Sequence, residues 1–275
     1  MYLSHFGLQE LPFGITPDTS FAYATTAHQE GLNTLLVALQ NGEGFIKITG
    51  EVGTGKTLLC RRLLHALGDD YVTAYIPNPY LEPRTLLLAL LEELGRDCSP
   101  DIDQYHLLKA INQALLDFAQ QGKAVVLCLD EAQAMPLETL EALRLLSNLE
   151  TEKRKLLQLV LFGQPELDGK LADPSVRQLR QRISFHYRLT GLSPKEMDNY
   201  LAHRLRVAGY RGESLFSRGA LRALYRSTGG IPRLINILAH KALLASFGEG
   251  GCSVKSRHIG LAAKDTEGAR QHWWW

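Results

Sequence analysis

Eight consecutive residues could do chemistry by type and spacing. Gly50, Glu51, Val52, Gly53, Thr54, Gly55, Lys56 and Thr57 read GxxxxGK[ST]. Glycines in this pattern let backbone N–H groups turn inward around phosphate oxygens, at the positive end of a following helix. Lys56 would bridge the β- and γ-phosphates of a nucleoside triphosphate, and Thr57 would offer its hydroxyl to Mg2+. Leu58, next along, completes the expected nucleotide-binding set. A second constellation follows the apolar run Val125–Leu129, which ends in Asp130 and Glu131. A buried strand that delivers Asp130 to its C-terminal end lets the carboxylate hold the Mg2+ hydration shell. The adjacent Glu131 can orient and deprotonate a water. Thr57 and Asp130 are therefore the expected metal ligands, ATP and Mg2+ the expected cofactors, and hydrolysis the expected chemistry.

These residues need a scaffold, and the hydrophobic pattern outlines one. Phe45–Thr49 is β-rich and runs into the glycine loop. Leu58, Leu59, Leu63, Leu64 and Leu67 then mark a helix. Tyr71–Ile76, Ala124–Leu129, Leu156–Phe162 and Ser184–Leu189 read as further strands. Between them lie a helix from Pro83, a long one ending near Gly122, and one from Pro136 to about Glu150. Strands alternating with helices predict βαβ units and a mostly parallel sheet covered on both faces. After Gly191 the strand signal stops, and four helical patterns follow near 194–208, 217–227, 231–247 and 255–263. The expected fold is an α/β three-layer αβα core with a parallel sheet, then a small all-helical lid subdomain. The expected divisions are an aromatic- and proline-rich arm (1–24, extended and pinned by its aromatics), the core (25–190), the lid (191–265) and a tail (266–275).

Composition narrows the class. The 275 residues are 45% hydrophobic and 21% charged, which excludes a disordered or collagen-like chain. The formal net charge of +1 conceals a split. Residues 1–176 carry 13 Lys+Arg against 23 Asp+Glu, whereas residues 177–275 carry 17 against 6. An acidic core and a basic lid would attract one another head to tail in an oligomer, and the basic part leaves DNA open as a partner. The longest uninterrupted apolar runs, Leu86–Leu91 and Ala124–Leu129, have six residues each. That is far below the roughly 20 needed to span a bilayer. With no signal peptide at its start, the chain is expected in the cytoplasm. The four isolated cysteines read as reduced. All three tryptophans are Trp273, Trp274 and Trp275. Such a triplet suggests docking onto a membrane-associated partner, at the inner face of the cytoplasmic membrane.

The motifs together resemble an AAA+ ATPase, and more narrowly the GspA/ExeA-type secretion ATPases. The resemblance is carried by HFGLQELPFGITPDTSFAY at 5–23, His28-Gln29-Glu30, the phosphate loop, and LDEAQ at 129–133. It continues in LRLLSNLE at 143–150, LVLFGQPEL at 159–167, LRQRI at 179–183 and GGIPRLIN at 229–236, covering roughly residues 2–250. Relatives of this type also carry a membrane segment and a peptidoglycan-binding region. Their lack here points to the shorter subgroup tied to the MSHA pilus. The resemblance implies that Gln164 stands at the sensor-1 position, where many AAA+ proteins have Asn. It implies that Arg182 is an arginine finger, with Arg177 and Arg180 competing, and that Arg233 is sensor 2. Phe6 and Phe13 are candidates for an adenine pocket or for core packing. The implied function is ATP-driven assembly of a cell-envelope export machine, a type IV pilus or type II secretion-like apparatus, by a homo-oligomer with an inner-membrane partner. The alternatives are a DNA-associated ATPase of the transposition-helper type and a nucleotide-switched scaffold with little turnover. A helicase would need two such motor domains, and a nucleoside kinase would not need Glu131 beside Asp130.

Overall fold

The computed structural model describes residues 2–14, 21, 23, 25–97, 99, 101–146, 149 and 155–270. Trp273, Trp274 and Trp275 lie outside them, as do Cys98 and part of the 143–150 segment. The described residues form two compact units, one within His28–Glu51 and Gly55–Leu189, the other within 2–27, Val52–Thr54 and 190–270.

The first unit is three-layer α/β. Its sheet has five strands: β1 (Phe45–Gly50), β2 (Tyr71–Ile76), β3 (Ala124–Leu129), β4 (Leu157–Gly163) and β5 (Ile183–Leu189). They run parallel in the order β2-β3-β4-β1-β5. Burial explains this order. Every residue of β4 is buried, as are five of the six in β3, because both strands are covered on both faces. At the edge, β5 alternates half-buried and exposed positions up to the buried Leu189. The helices Lys56–Ala66, Pro83–Glu93, Gln104–Gln120 and Leu137–Leu146 connect the strands. Pro83 begins its helix with a φ already suited to it. Asp103 caps the next by accepting from the His106 N–H at 3.0 Å. The helix after Pro136 ends at Leu146 among the described residues, short of the expected Glu150.

The second unit is built from the helices Pro194–Val207, Arg218–Thr228, Pro232–Gly248 and Ser256–Lys264. Ser193 and Glu196 close the first with a reciprocal capping box. Ser217 caps the second at its start, and Gly229 ends it with φ 59°. The N-terminal segment belongs to this unit. Tyr2–His5 is a helical turn rather than extended chain, and Tyr2, Phe6, Phe13 and Phe21 are buried with Leu201, Leu224 and Leu238. Arg204 holds the segment by donating to the carbonyls of Pro12 and Gly14, with its guanidinium 4.7 Å from the Phe21 ring centroid. Phe6 and Phe13 are thus core residues of the helical unit. No helix among the described residues is long and apolar enough to cross a membrane.

Candidate active site

In the sheet, β4 lies between β1 and β3. Three loops therefore leave the same sheet edge side by side: the glycine loop after β1, Asp130-Glu131 after β3, and Gln164 after β4. Ligands of open parallel sheets bind outside these carboxyl ends.

The glycine loop leads directly into the helix Lys56–Ala66. Gly53 and Gly55 have φ of 83° and 96°, in the left-handed region that side chains disfavour. A Cβ on Gly55 would lie 2.5 Å from His28 Nε2, and one on Gly53 would lie 2.4 Å from Arg233 Cβ. Both glycines are therefore required twice, by dihedral and by space. Lys56 is buried, and its ammonium donates to the carbonyls of Gly50 (2.8 Å) and Glu51 (3.2 Å). Burial lowers the Lys56 pKa, and the carboxylates of Glu131, Asp130, Glu51 and Glu166 oppose that shift. Val52 and Leu58 are exposed, and Thr54 is buried.

Asp130 is buried and fixed from both oxygens. Oδ2 accepts from the Thr57 hydroxyl at 2.6 Å, and Oδ1 accepts from the Glu131 N–H at 2.9 Å. On β2, Tyr75 faces the same carboxylate, and burial together with Asp130 pushes its phenol up to about 12. Glu131 follows with φ 52°, the only non-glycine among the described residues at positive φ. Its Oε2 accepts from Gln133 Nε2 at 2.5 Å and from Gln164 Nε2 at 3.1 Å. Gln133 Oε1 in turn accepts from the Gln164 N–H at 2.9 Å. The fold thus brings Lys56, Thr57, Asp130, Glu131 and Gln164 together.

Gln133 is the residue that motif reasoning passed over. Its signal was available, as a second amide two positions after the acid pair in LDEAQ. The arginines stand differently. Arg182 is half-buried and donates to the Arg144 carbonyl at 3.0 Å, whereas Arg177 and Arg180 are exposed. Arg233 has an exposed side chain, and its N–H donates to the Gly53 carbonyl, which belongs to the same unit, at 3.3 Å.

Thr57 and Asp130 present a hydroxyl and a carboxylate at one point. These are hard oxygen donors of the kind Mg2+ takes when it keeps its waters and shares substrate phosphates. Among the described residues no cluster of three or more His, Cys, Asp or Glu forms an all-protein metal cage. The donor set thus fits a cation that arrives with a nucleotide.

An AAA domain family matches residues 39–171. General secretion pathway protein A of Aeromonas hydrophila is 44% identical over 275 residues, the whole of this chain and 50% of that protein. Residues 39–171 thus carry an AAA domain, and the chain is similar to a GspA-type secretion protein. The chain spans half the length of that relative. Among solved structures, Cdc6p of Pyrobaculum aerophilum superposes with a TM-score of 0.66 at 19% identity, covering 91% of this chain and 71% of that one. The Aeropyrum pernix ORC2 protein in its ADPNP-ADP complexes gives 0.60 at 17%, covering 91% and 72%. The Thermotoga maritima RuvB motor gives 0.53 at 16%, covering 88% and 69%. At these identities the structural matches establish the P-loop fold alone.

Proposed function

We propose that this GspA/ExeA-type domain binds ATP with Mg2+ and hydrolyses it, and that turnover drives assembly of a cell-envelope export machine. The observation that carries the reading is the position of Glu131, directly after the metal-ligand candidate Asp130 and hydrogen-bonded to Gln164. When bound, Mg2+ would neutralise charge on the phosphate oxygens, held by Thr57 and Asp130. The buried Lys56 ammonium has flexible reach and would exchange the carbonyls of Gly50 and Glu51 for phosphate oxygens. Glu131 would accept the proton of the attacking water, and Gln164 would orient it. Arg182, Arg177 or Arg180 would serve a neighbouring subunit as arginine finger, and Arg233 would act as sensor 2.

The same reading places the chain at the inner face of the cytoplasmic membrane, as a homo-oligomer with an inner-membrane partner. The 44% identity to a general secretion pathway protein supports a secretion or pilus role over others. The deciding experiment is steady-state ATPase activity of Glu131→Gln beside its nucleotide affinity. Retained binding with turnover lost by about 10²–10⁴ fits a general base. Wild-type turnover removes Glu131 from the mechanism.

One observation favours a second reading, a DNA-associated ATPase. Arg218, Arg222 and Arg226 line one wall of a groove of about 360 Å3 in the helical unit, with Met197, Leu221 and Tyr225 beside them. Four-residue spacing puts these cations on one helix face, as phosphate-backbone contacts require. ATPase activity that rises with added duplex, and falls steeply with salt, would favour it.

A further inference from the structure

We propose that Gln133 is a positioning residue for Glu131, tethering one carboxylate oxygen to the end of β4 and leaving the other to take the proton of the attacking water. The proposal rests on Glu131 being the general base. Its geometry is independent of that reading.

The amide of Gln133 has a determined orientation. A backbone N–H only donates, so the oxygen of Gln133 must face the Gln164 N–H, 2.9 Å away. The Gln133 NH2 group is thereby turned to Glu131 Oε2, at 2.5 Å. The same oxygen accepts the Gln164 side-chain amide at 3.1 Å. Two donors thus converge on Oε2, and Oε1 is the oxygen left to act as base.

The backbone beneath is equally constrained. The Glu131 N–H is held by Asp130 Oδ1 at 2.9 Å, and the Glu131 carbonyl accepts from the Ala134 N–H at 2.8 Å. Positive φ at a glutamate is a strained conformation that persists only where its surroundings enforce it. The turn sets where the side chain starts, and the two glutamines set where it ends. Length matters as well. Asparagine is one methylene shorter and cannot bridge Glu131 and the Gln164 N–H. Glutamate keeps the acceptor for Gln164 but sets oxygen against oxygen at Glu131.

In the step served, a water O–H bond breaks and its proton passes to Glu131 Oε1. The oxygen's electron pair forms the new bond to the γ-phosphorus, and the β,γ-bridging P–O bond breaks, its pair leaving with ADP. Glu131 returns the proton to solvent. Gln133 touches none of these atoms, since its hydrogen bonds run to Glu131 and Gln164. It should therefore govern turnover and not affinity.

The test is a five-chain comparison with the full protein: wild type, Gln133→Met, Gln133→Glu, Glu131→Gln and the Gln133→Met/Glu131→Gln double variant, each measured for kcat, affinity for a non-hydrolysable ATP analogue, and Tm. We expect Gln133→Met to lower kcat roughly 10- to 100-fold, the scale of a misplaced base, with affinity within about twofold. The double variant should be no slower than Glu131→Gln, because Gln133 acts only through that carboxylate. Gln133→Glu keeps the loop anchored and should lose turnover too, which guards against a Met variant that fails to fold. Wild-type kcat in Gln133→Met beside an inactive Glu131→Gln overturns the tether and leaves the base standing. The tether also fails should Gln133→Met slow the residual rate of Glu131→Gln by its full factor. Full activity in Glu131→Gln itself removes the base, and the tether with it.

Discussion

The Thr57 hydroxyl donates to Asp130 Oδ2 at 2.6 Å across 73 positions of sequence. This bond joins the helix after the glycine loop to the end of β3, and it places the two metal-ligand candidates at one point. Asp130→Asn and Thr57→Ala should each weaken Mg2+-supported nucleotide binding, by at least the roughly 10- to 100-fold seen when metal-site support is removed. Thr57→Ser should keep it. The readout is nucleotide affinity with Mg2+ against affinity with EDTA. If Asp130→Asn leaves that difference as wide as in wild type, Asp130 is not a ligand.

Gly53 combines a φ of 83° with a Cβ position 2.4 Å from Arg233 Cβ. Gly53→Ala should cost about 1–3 kcal/mol from the enforced backbone conformation, with the clash added. Adding Arg233→Gly should recover the clash and leave the dihedral cost. Gly68 has open space around its Cβ position, so Gly68→Ala should stay within about 0.5 kcal/mol. Urea denaturation of the four chains reads all of this. Equal midpoints for Gly53→Ala and Gly68→Ala would contradict it.

Gln158 is 3% exposed in a strand otherwise apolar. Its Nε2 donates to the carbonyls of Leu39 and Glu43, each at 3.0 Å. They belong to the end of the helix Thr26–Gln40 and the turn beyond it. Gln158→Leu leaves both carbonyls without this donor and should destabilise by roughly 1–3 kcal/mol. Turnover per folded molecule should hold. An unshifted denaturation midpoint would mean water takes the donor's place.

Glu196 caps its helix by accepting from the Ser193 N–H at 3.0 Å, the largest cause holding its carboxyl down at about 2. A carboxyl depressed in the folded state stabilises fully above its unfolded value, roughly 4.3. That contribution fades as pH falls through the folded value. The Tm gap between wild type and Glu196→Gln should be widest near pH 7 and shrink steadily below about pH 4. Because the side chain is only half-buried at the surface, the gap should be small and narrowed by salt. A gap independent of pH would remove the charge from the cap.

Much of this was legible along the chain because its determinants are local. A glycine loop depends on which residues tolerate positive φ, and a buried central strand on an unbroken apolar run. The groups of Lys56, Thr57, Asp130 and Glu131 could be named from type and spacing for the same reason. Strand order could not, because it is set by which faces each strand must bury against its neighbours. That order placed β4 between β1 and β3, and so brought Gln164 onto Glu131 and Gln133. The N-terminal segment shows the same limit. Its aromatics signalled burial, but only packing decided that they join the helical unit, where Arg204 meets the carbonyls of Pro12 and Gly14 from about 190 positions away. Contacts that span such distances depend on the closed chain, and no local spacing encodes them.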